Sequence, residues 1–338
     1  MENRPPLFAV HGLRQIAGPE ISSLTLWRGA VTIKTNLPGR MGGARERLRG
    51  RKLKTIYKSE DGKNAVLQLY DSQLKKLGCS YQDQYVVTSY GRTHLVETGN
   101  LNGPPLLVFH GGNSTTAYQL LLCRFLLDEF HVYAVDIIGH PGKSAEVSLS
   151  PHGYDYGEWA NEVVSGLGFN QIRCFGGSFG GGVLAKFMCV APEKIVKSVL
   201  LVPSGINNAL PVGSAKMMLP LLQYVLTKDD QYITRAALYM AITREVLDTD
   251  TLDTVKNSFQ HVKTKIGMPS NVSGKKMRRC TAPVLVMAGE YDCLFPAKKV
   301  LKRAKKILPD NTLYELKGRG HMHILTEEEK NRIIQFLK

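Results

Sequence analysis

The sequence predicts an α/β fold, in which a mostly parallel β-sheet is covered by helices on both faces. Short apolar runs bounded by Pro or Gly, as at residues 105–109, are typical of strands that are buried on both faces. These runs alternate along the chain with stretches of helical apolar spacing. A glycine-rich turn at 176–180 joins one such run to the next helix. This strand–helix alternation places the strands in one parallel sheet.

The elements follow in order from about residue 56. Apolar residues at helical spacing predict a helix over 64–77. Two runs in which apolar and polar residues alternate, on either side of Gly91, predict a hairpin. Buried strands and helices alternate from there on. The predicted strands are residues 84–89, 93–97, 105–109, 131–135, 171–175, 196–202, 283–288 and 312–316. The predicted helices are residues 64–77, 117–128, 155–166, 180–191, 297–307 and 326–337.

One long segment, 203–279, interrupts the alternation. It lacks buried-strand patterns and contains helical stretches near 214–226, 230–243 and 249–265 that are rich in Leu, Met and Tyr. We interpret it as a helical cap inserted into an α/β core that consists of residues 53–202 and 280–338.

Composition excludes several classes of protein. The 338 residues are 43% hydrophobic and 22% charged, close to the average of soluble globular domains, and no run approaches the ~18 apolar residues of a membrane span. The six cysteines form no C-x-x-C pair and several stand in apolar runs, which indicates free thiols in a reducing compartment. We therefore expect a cytoplasmic protein. We expect no metal, since no ligand spacing occurs, and no cofactor.

The formal charge of +15 is spread unevenly. Residues 1–52 hold ten basic and three acidic side chains and show no sustained hydrophobic period. We favour a disordered extension for this segment over a non-native leader or an Arg-rich targeting segment. The basic surface could attract nucleic acid or an anionic membrane, but the Lys-rich stretches at 275–279 and 298–306 are also typical of solvated helix faces. We expect no nucleic-acid partner.

The most informative motif is Gly176-Gly177-Ser178-Phe179-Gly180, which fits G-x-S-x-G between a predicted strand and a predicted helix. In that context a serine stands exposed on a sharp turn, while the glycines let the neighbouring backbone pack closely. The motif therefore predicts that Ser178 is a nucleophile. The alternative is a glycine-rich turn that serves packing alone.

A serine nucleophile requires a base, and the base requires a group that orients it. Asp292 follows the predicted strand 283–288, and His321 follows the predicted strand 312–316, so both stand where parallel strands end. We predict Asp292 as the orienting acid and His321 as the base. Glu290 is the alternative acid, and His323 is the alternative base.

An oxyanion hole requires backbone N–H donors. The residue after the nucleophile, Phe179, should supply one, and Gly112 in the loop His110-Gly111-Gly112-Asn113 should supply the other, with Asn113 close by. Glycine allows the backbone to approach a tetrahedral intermediate closely. His110 is predicted to buttress this loop.

These ordered motifs resemble the α/β-hydrolase superfamily from about residue 84 to the C-terminus. The segments HGGN at 110–113, DIIGHPGKS at 136–144 and GGSFGG at 176–181 stand in the family's order, ahead of Asp292 and His321. The resemblance implies an eight-stranded, mostly parallel sheet, a cap between strands six and seven, and a Ser178–His321–Asp292 triad. The loop at 139–144 is one residue longer than the common G-x-G-x-S form.

The resemblance implies a serine hydrolase that works through an acyl-enzyme, without a cofactor. The Leu/Met-rich stretches of the cap, for example Met217-Met218-Leu219 and Leu221-Leu222, indicate a small to medium ester, thioester or lactone with an apolar acyl part, although they could equally serve the packing of the cap. The expected partner is a small-molecule acyl substrate, and the oligomeric state is not readable from the sequence. The same residues could instead cleave C–C bonds, act as an aminopeptidase or transfer acyl groups. A ligand-binding module with a slow or silent triad is a further alternative.

Overall fold

The computed structural model describes residues 24–27, 30–33, 55–208, 214–263 and 267–338, and within them it contains one ten-stranded sheet. The strands, in chain order, are β1 Leu24–Trp27, β2 Ala30–Ile33, β3 Tyr81–Thr88, β4 Gly91–Gly99, β5 Pro105–Phe109, β6 His131–Val135, β7 Ile172–Gly177, β8 Ile195–Leu201, β9 Val284–Gly289 and β10 Asn311–Leu316.

The sheet has the spatial order β1-β2-β3-β4-β6-β5-β7-β8-β9-β10. Strand β4 is antiparallel to both of its neighbours, whereas every pair from β6 through β10 is parallel. The eight strands β3–β10 form the mostly parallel sheet that the sequence predicts. Strands β1 and β2 add a hairpin at the β3 edge.

That hairpin lies in the segment 1–52, for which the sequence analysis favours disorder. The other residues of this segment lie outside the described ones, so the proposed extension stays a prediction. The three-part division of the chain at 52/53, 202/203 and 279/280 stays a prediction as well.

The helices lie on both faces of the sheet and above its carboxyl edge. They are α1 Glu60–Lys76, α2 Thr116–Leu122, α3 Asp155–Gly166, α4 Phe179–Val190, α5 Ser214–Thr227, α6 Gln231–Ala241, α7 Thr249–His261, α8 Gly274–Met277, α9 Ala297–Ile307 and α10 Glu327–Leu337. The predicted helix over 117–128 is shorter in the structure. It ends at Leu122 and passes through Cys123 (φ −106°, ψ 19°) into a 3₁₀ turn at Arg124–Leu126. No helix among the described residues is long and apolar enough to cross a membrane.

Two apolar layers hold the helices on the sheet. One contains Trp159 of α3 and Phe109 of β5, whose rings lie 6.2 Å apart, together with the inner face of α4. The other contains Tyr70 and Leu74 of α1 and the inner face of α10. The side chains alternate between these layers along each buried strand, which is why the central strands read as continuous apolar runs.

Helix α1 also contacts α7, one of the helices that lie between β8 and β9 in the sequence. Its Gln73 Nε2 donates to Thr254 Oγ1 of α7 at 2.9 Å, and Lys76 pairs with Asp250 at 2.8 Å. Tyr57, just before α1, forms a β-bridge with Val262, just after α7. A segment that precedes the sheet in sequence therefore anchors α7, which the helical spacing of 64–77 did not predict.

A buried ionic cluster ties α1 to the sheet. Asp136, at the end of β6, accepts from His94 Nδ1 at 2.8 Å and from the Tyr70 hydroxyl at 3.2 Å, while His94 Nε2 reaches Asp83 at 2.7 Å. Burial disfavours a charged imidazole, but the two carboxylates outweigh it, so the pKa of His94 lies above its ordinary 6.5. The segment DIIGHPGKS begins at Asp136, and in the structure this aspartate joins Tyr70 of α1 to His94 of β4.

We predict that His94→Gln lowers the free energy of unfolding by about 3 kcal/mol near pH 6, because it leaves a buried carboxylate without its cation. The pKa of His94 is raised above 6.5 by folding, so its stabilisation is complete below that pH and is lost as the pH rises through the raised value. Urea titrations across this pH range measure the difference between variant and wild type, which should shrink as the pH rises.

His131→Gln is the matched control, since His131 also bonds a carboxylate (Glu97, 2.7 Å), but both side chains keep partial contact with solvent. We expect a loss below about 1 kcal/mol. Equal losses in the two variants, or a His94→Gln loss that does not change with pH, would contradict the assignment of a charged His94.

Candidate active site

Ser178 stands on the turn between β7 and α4, in a backbone conformation that is rare for residues other than glycine (φ 51°, ψ −114°). The turn is held from both sides. The Ser178 N–H donates to the Leu201 carbonyl of β8 at 2.9 Å, and the Ser178 carbonyl accepts from the Ser204 N–H at 3.0 Å. Such a strained backbone conformation persists only where the surrounding contacts hold the residue in it.

The glycines around Ser178 are required by close backbone approach. A Cβ on Gly180 would lie 2.5 Å from the Phe109 and His110 carbonyl oxygens, and a Cβ on Gly176 would lie 2.6 Å from the Gly180 carbonyl oxygen. Gly177 differs, since its Cβ would meet only Gln119 Oε1, at 3.8 Å. Gly180 therefore lets the turn pack against the end of β5, and Gly176 lets the start of α4 pack against the end of β7.

The structure brings Ser178, His321 and Asp292 into one hydrogen-bonded chain. Ser178 Oγ lies 2.9 Å from His321 Nε2, and His321 Nδ1 lies 2.8 Å from Asp292 Oδ2. Asp292 follows β9, and His321 follows β10, so adjacent parallel strands deliver the two side chains to the edge where β7 delivers Ser178.

Asp292 is buried, and its second oxygen, Oδ1, accepts from the backbone N–H groups of Leu294 at 2.7 Å and Phe295 at 2.9 Å. Burial raises the pKa of a carboxyl, but His321 and these N–H donors outweigh it, so the pKa of Asp292 lies below its ordinary value. An ionised Asp292 accepts the Nδ1–H of His321, which leaves Nε2 to accept the Ser178 hydroxyl proton.

The two rival residues lie elsewhere. Glu290 Oε2 accepts from the Gly318 N–H at 2.9 Å, so it supports the loop that carries His321 and does not contact the imidazole. His323 Nδ1 bonds the His321 carbonyl at 3.1 Å, and burial lowers the pKa of His323 to about 4. Neither side chain contacts Ser178.

The loop after β5 passes directly in front of the turn. A Cβ on Gly112 would lie 3.2 Å from Phe179 Cβ, and a Cβ on Gly111 would lie 3.9 Å from Ser178 Cβ. Phe179 is the first residue of α4, so its N–H has no acceptor within the helix. Asn113 follows with φ 52°. The structure thus brings Gly112, Phe179 and Asn113 together beside Ser178.

His110 holds this loop in place, as the sequence predicts. Its Nδ1 donates to the Gly111 carbonyl at 2.7 Å, and its Nε2 accepts from the Ile137 N–H at 2.9 Å. Burial lowers the pKa of His110 and keeps the ring neutral, as these roles require. The loop after β5 is thereby joined to the loop after β6.

Sequence reasoning missed His140, whose ring lies 4.3 Å from that of Phe179 and 5.8 Å from that of His110. It belongs to the segment DIIGHPGKS, whose Asp and glycines suit a tight crossover loop, so the sequence alone favours a structural role for it. The signal that could have found it is the placement of this loop directly after β6, at the same edge of the sheet as Ser178.

Helices α5 and α6 rest on the loops that carry Asp292 and His321. Met217 of α5 and Ala236 of α6 pack against Cys293, and the Met322 N–H donates to the Met240 carbonyl at 3.1 Å. The outer face of α5 is apolar as well and is exposed, up to 76% at Leu226. Met218, Leu219 and Leu222 face outwards, so these residues do not support the apolar acyl part of the substrate that the Leu/Met-rich composition indicates.

Among the described residues, no group of three or more His, Cys, Asp or Glu side chains is arranged to hold a metal ion. The six cysteines are free thiols, and all except Cys79 are buried.

Known proteins resemble this chain over most of its length. The model of the alpha/beta hydrolase family matches residues 106–331, more than half of the chain. The carboxylesterase YbfK of Bacillus subtilis is 26% identical over 281 residues, which cover 80% of this chain and 92% of that protein. A second B. subtilis protein, the uncharacterised carboxylesterase nap, is 24% identical over 75% of this chain and 85% of its own length.

The crystal structure of naproxen esterase (carboxylesterase NP) from B. subtilis has the same fold. It superposes with a TM-score of 0.71 at 22% sequence identity and covers 82% of this chain and 99% of that one. At this identity the likeness shows the fold alone.

We predict that Gly180→Ala lowers the free energy of unfolding by about 3 kcal/mol, because the added methyl group meets the backbone of β5, which cannot move aside. Chemical denaturation measures the loss. Gly177→Ala is the matched control at the neighbouring turn position, and it should cost less than about 1 kcal/mol, since its Cβ has room. If both substitutions cost the same, close packing does not explain the glycine at 180.

Proposed function

The chain belongs to the α/β-hydrolase family, and we propose that it is a carboxylesterase-like serine hydrolase acting on a small to medium ester, thioester or lactone. One observation carries the proposal: the hydrogen-bonded chain from Ser178 Oγ through His321 to Asp292 at the carboxyl edge of the sheet. This arrangement activates a serine hydroxyl that is otherwise a weak nucleophile. The carboxylesterase names of the two B. subtilis relatives support an ester as the substrate.

The first half of the reaction makes an acyl-enzyme. Ser178 Oγ attacks the carbonyl carbon while its proton passes to His321 Nε2, 2.9 Å away. The C–O or C–S bond of the tetrahedral intermediate then breaks, and His321 returns the proton to the leaving alcohol or thiol. Asp292 stays ionised throughout and stabilises the imidazolium that forms in between.

The second half releases the acid. Water gives a proton to His321 and attacks the acyl carbon, and Ser178 Oγ leaves with that proton. The N–H groups of Phe179 and Gly112 serve as the donors for the oxyanion in both halves. Backbone donors suit this task because the turn and the loop are already held in place, so little reorganisation is needed as charge develops.

We predict that Ser178→Ala lowers kcat/KM for p-nitrophenyl esters by roughly 10⁴-fold or more and abolishes labelling by a fluorophosphonate probe, because it removes the attacking oxygen. Ester assays with increasing acyl chain length measure the first effect, and mass spectrometry of the labelled peptide measures the second. A folded wild-type protein that neither cleaves esters nor takes the label would overturn the proposal.

We predict that Asp292→Asn lowers kcat by roughly 10⁴-fold, because an amide no longer holds the Nδ1–H tautomer of His321. Glu290→Gln is the matched control for the rival acid. Its amide oxygen still accepts from the Gly318 N–H, so kcat should change less than about tenfold. The assignment of Asp292 is wrong if Glu290→Gln costs more than Asp292→Asn.

A further inference from the structure

A small cavity lies between α1, α7 and the loop after β5. It has room for about one water molecule or one hydroxyl group. Gln73 of α1 lines it from one side, Asn257 and Ser258 of α7 line it from the other, and Asn113 lines it from the loop. The cavity thus lies where α1, α7 and the loop that passes Ser178 meet.

Three of the residues that line this cavity carry a buried polar atom without a hydrogen-bond partner in the described part of the protein: Gln73 Oε1, Asn257 Oδ1 and Ser258 Oγ. Gln73 is 1% exposed and Ser258 is 4% exposed. Buried polar groups are almost always hydrogen-bonded, so three unpartnered atoms around one cavity call for a group that binds them.

The orientation of Gln73 identifies what that group must offer. Its Nε2 faces Thr254 Oγ1 at 2.9 Å and two Asp250 oxygens at 3.5 Å. The Asp250 oxygens can only accept, so the Gln73 amide nitrogen faces them, and its carbonyl oxygen is left for the cavity. Asn257 Oδ1 is a second unpartnered amide oxygen, which accepts, and the Ser258 hydroxyl can accept or donate.

The lining of the cavity suits a neutral group. No residue that lines it carries a charge, so a buried ion would be left without a counter-ion. An anion would also face two carbonyl oxygens. A hydroxyl group fits, since it donates to one carbonyl oxygen and accepts from the Ser258 hydroxyl.

The position of Asn113 connects the cavity to the reaction. Asn113 lines the cavity and directly follows Gly112, which lies against Phe179. Gly111, one residue earlier, lies opposite Ser178. Asn113, which lines the cavity, is therefore two residues along the loop from the glycine that faces Ser178.

We propose that this cavity is a subsite for a hydroxyl group carried by the substrate a few atoms from the scissile carbonyl. The inference rests on the proposed ester hydrolysis and names a substrate class for it, the esters of hydroxylated acids or of polyhydric alcohols. A methyl group in the same position leaves the three polar atoms unpaired, and a site built to hydrogen-bond a hydroxyl discriminates against a substrate that lacks one.

The experiment compares two pairs of esters that match in size. 2-Hydroxyethyl butyrate and propyl butyrate place the hydroxyl on the alcohol side, and methyl 3-hydroxybutyrate and methyl 3-methylbutyrate place it on the acyl side. Titration of the released acid gives kcat/KM. We expect the hydroxylated ester to be preferred by about tenfold in at least one pair, the effect of one buried hydrogen bond.

In the double variant Asn257→Leu/Ser258→Ala, the ratio of kcat/KM for the hydroxylated ester to that for its matched partner should fall close to one, since two of the three unpartnered atoms are removed. Ser198→Ala is the matched control. The Ser198 hydroxyl is also buried and unpartnered but lies on β8, outside the residues that line the cavity, so the preference should stay unchanged. Thermal denaturation of each variant shows that it is folded.

Binding to Ser178→Ala separates this proposal from the proposed function. Saturation-transfer NMR with the intact esters measures the preference without hydrolysis. If the wild type cleaves no ester but Ser178→Ala still binds the hydroxylated one more tightly, ester hydrolysis is overturned and the subsite is supported. If wild type and variants treat both members of each pair alike, the cavity holds water only, and the subsite is overturned.

Discussion

The site depends on how closely three backbone segments approach at the turn between β7 and α4. Gly180 lies against the Phe109 and His110 carbonyl oxygens, and Ser178 is bonded through its N–H and its carbonyl to Leu201 and Ser204. These contacts hold Ser178 at φ 51°, where its side chain projects from the carboxyl edge of the sheet. Without glycine at 176 and 180 the backbone could not pack this closely, and Ser178 would have no fixed position relative to His321.

The parallel strands beyond that turn supply the partners. Because β8, β9 and β10 run parallel beside β7, the loops that follow β9 and β10 open at the same edge, and Asp292 and His321 meet there. The helices between β8 and β9 then rest on these loops, through Cys293 and Met240. A movement of α5 or α6 would therefore change the surroundings of Asp292 and His321, although neither helix supplies a residue to the hydrogen-bonded chain.

The protein contains a second Asp–His pair, and the contrast shows how position sets the role. Asp136 and His94 bond at 2.8 Å, as Asp292 and His321 do. His94 is fully buried and also bonds a second carboxylate, Asp83. This pair lies in the core, and the Tyr70 hydroxyl of α1 donates to Asp136, so the pair joins α1 to the sheet. The His321 side chain is 11% exposed, and its second nitrogen faces the Ser178 hydroxyl instead of another carboxylate. The same Asp–His pairing therefore joins elements of the fold in one place and, under the proposed function, activates a serine in the other.

The sequence by itself determined the α/β class, the order of the eight core strands along the chain and the candidates Ser178, Asp292 and His321. Period-two and period-3.6 patterns and strand-end motifs are local, so they can be read without knowing what packs where. Tertiary structure alone decided that Asp292 and not Glu290 contacts His321, since both follow β9 and only packing orients them. It also decided that α1 joins α7, that Met218 and Leu222 face outwards, and that Gln73, Asn257 and Ser258 surround one cavity. Those contacts join residues that are distant in sequence, and no local spacing encodes them.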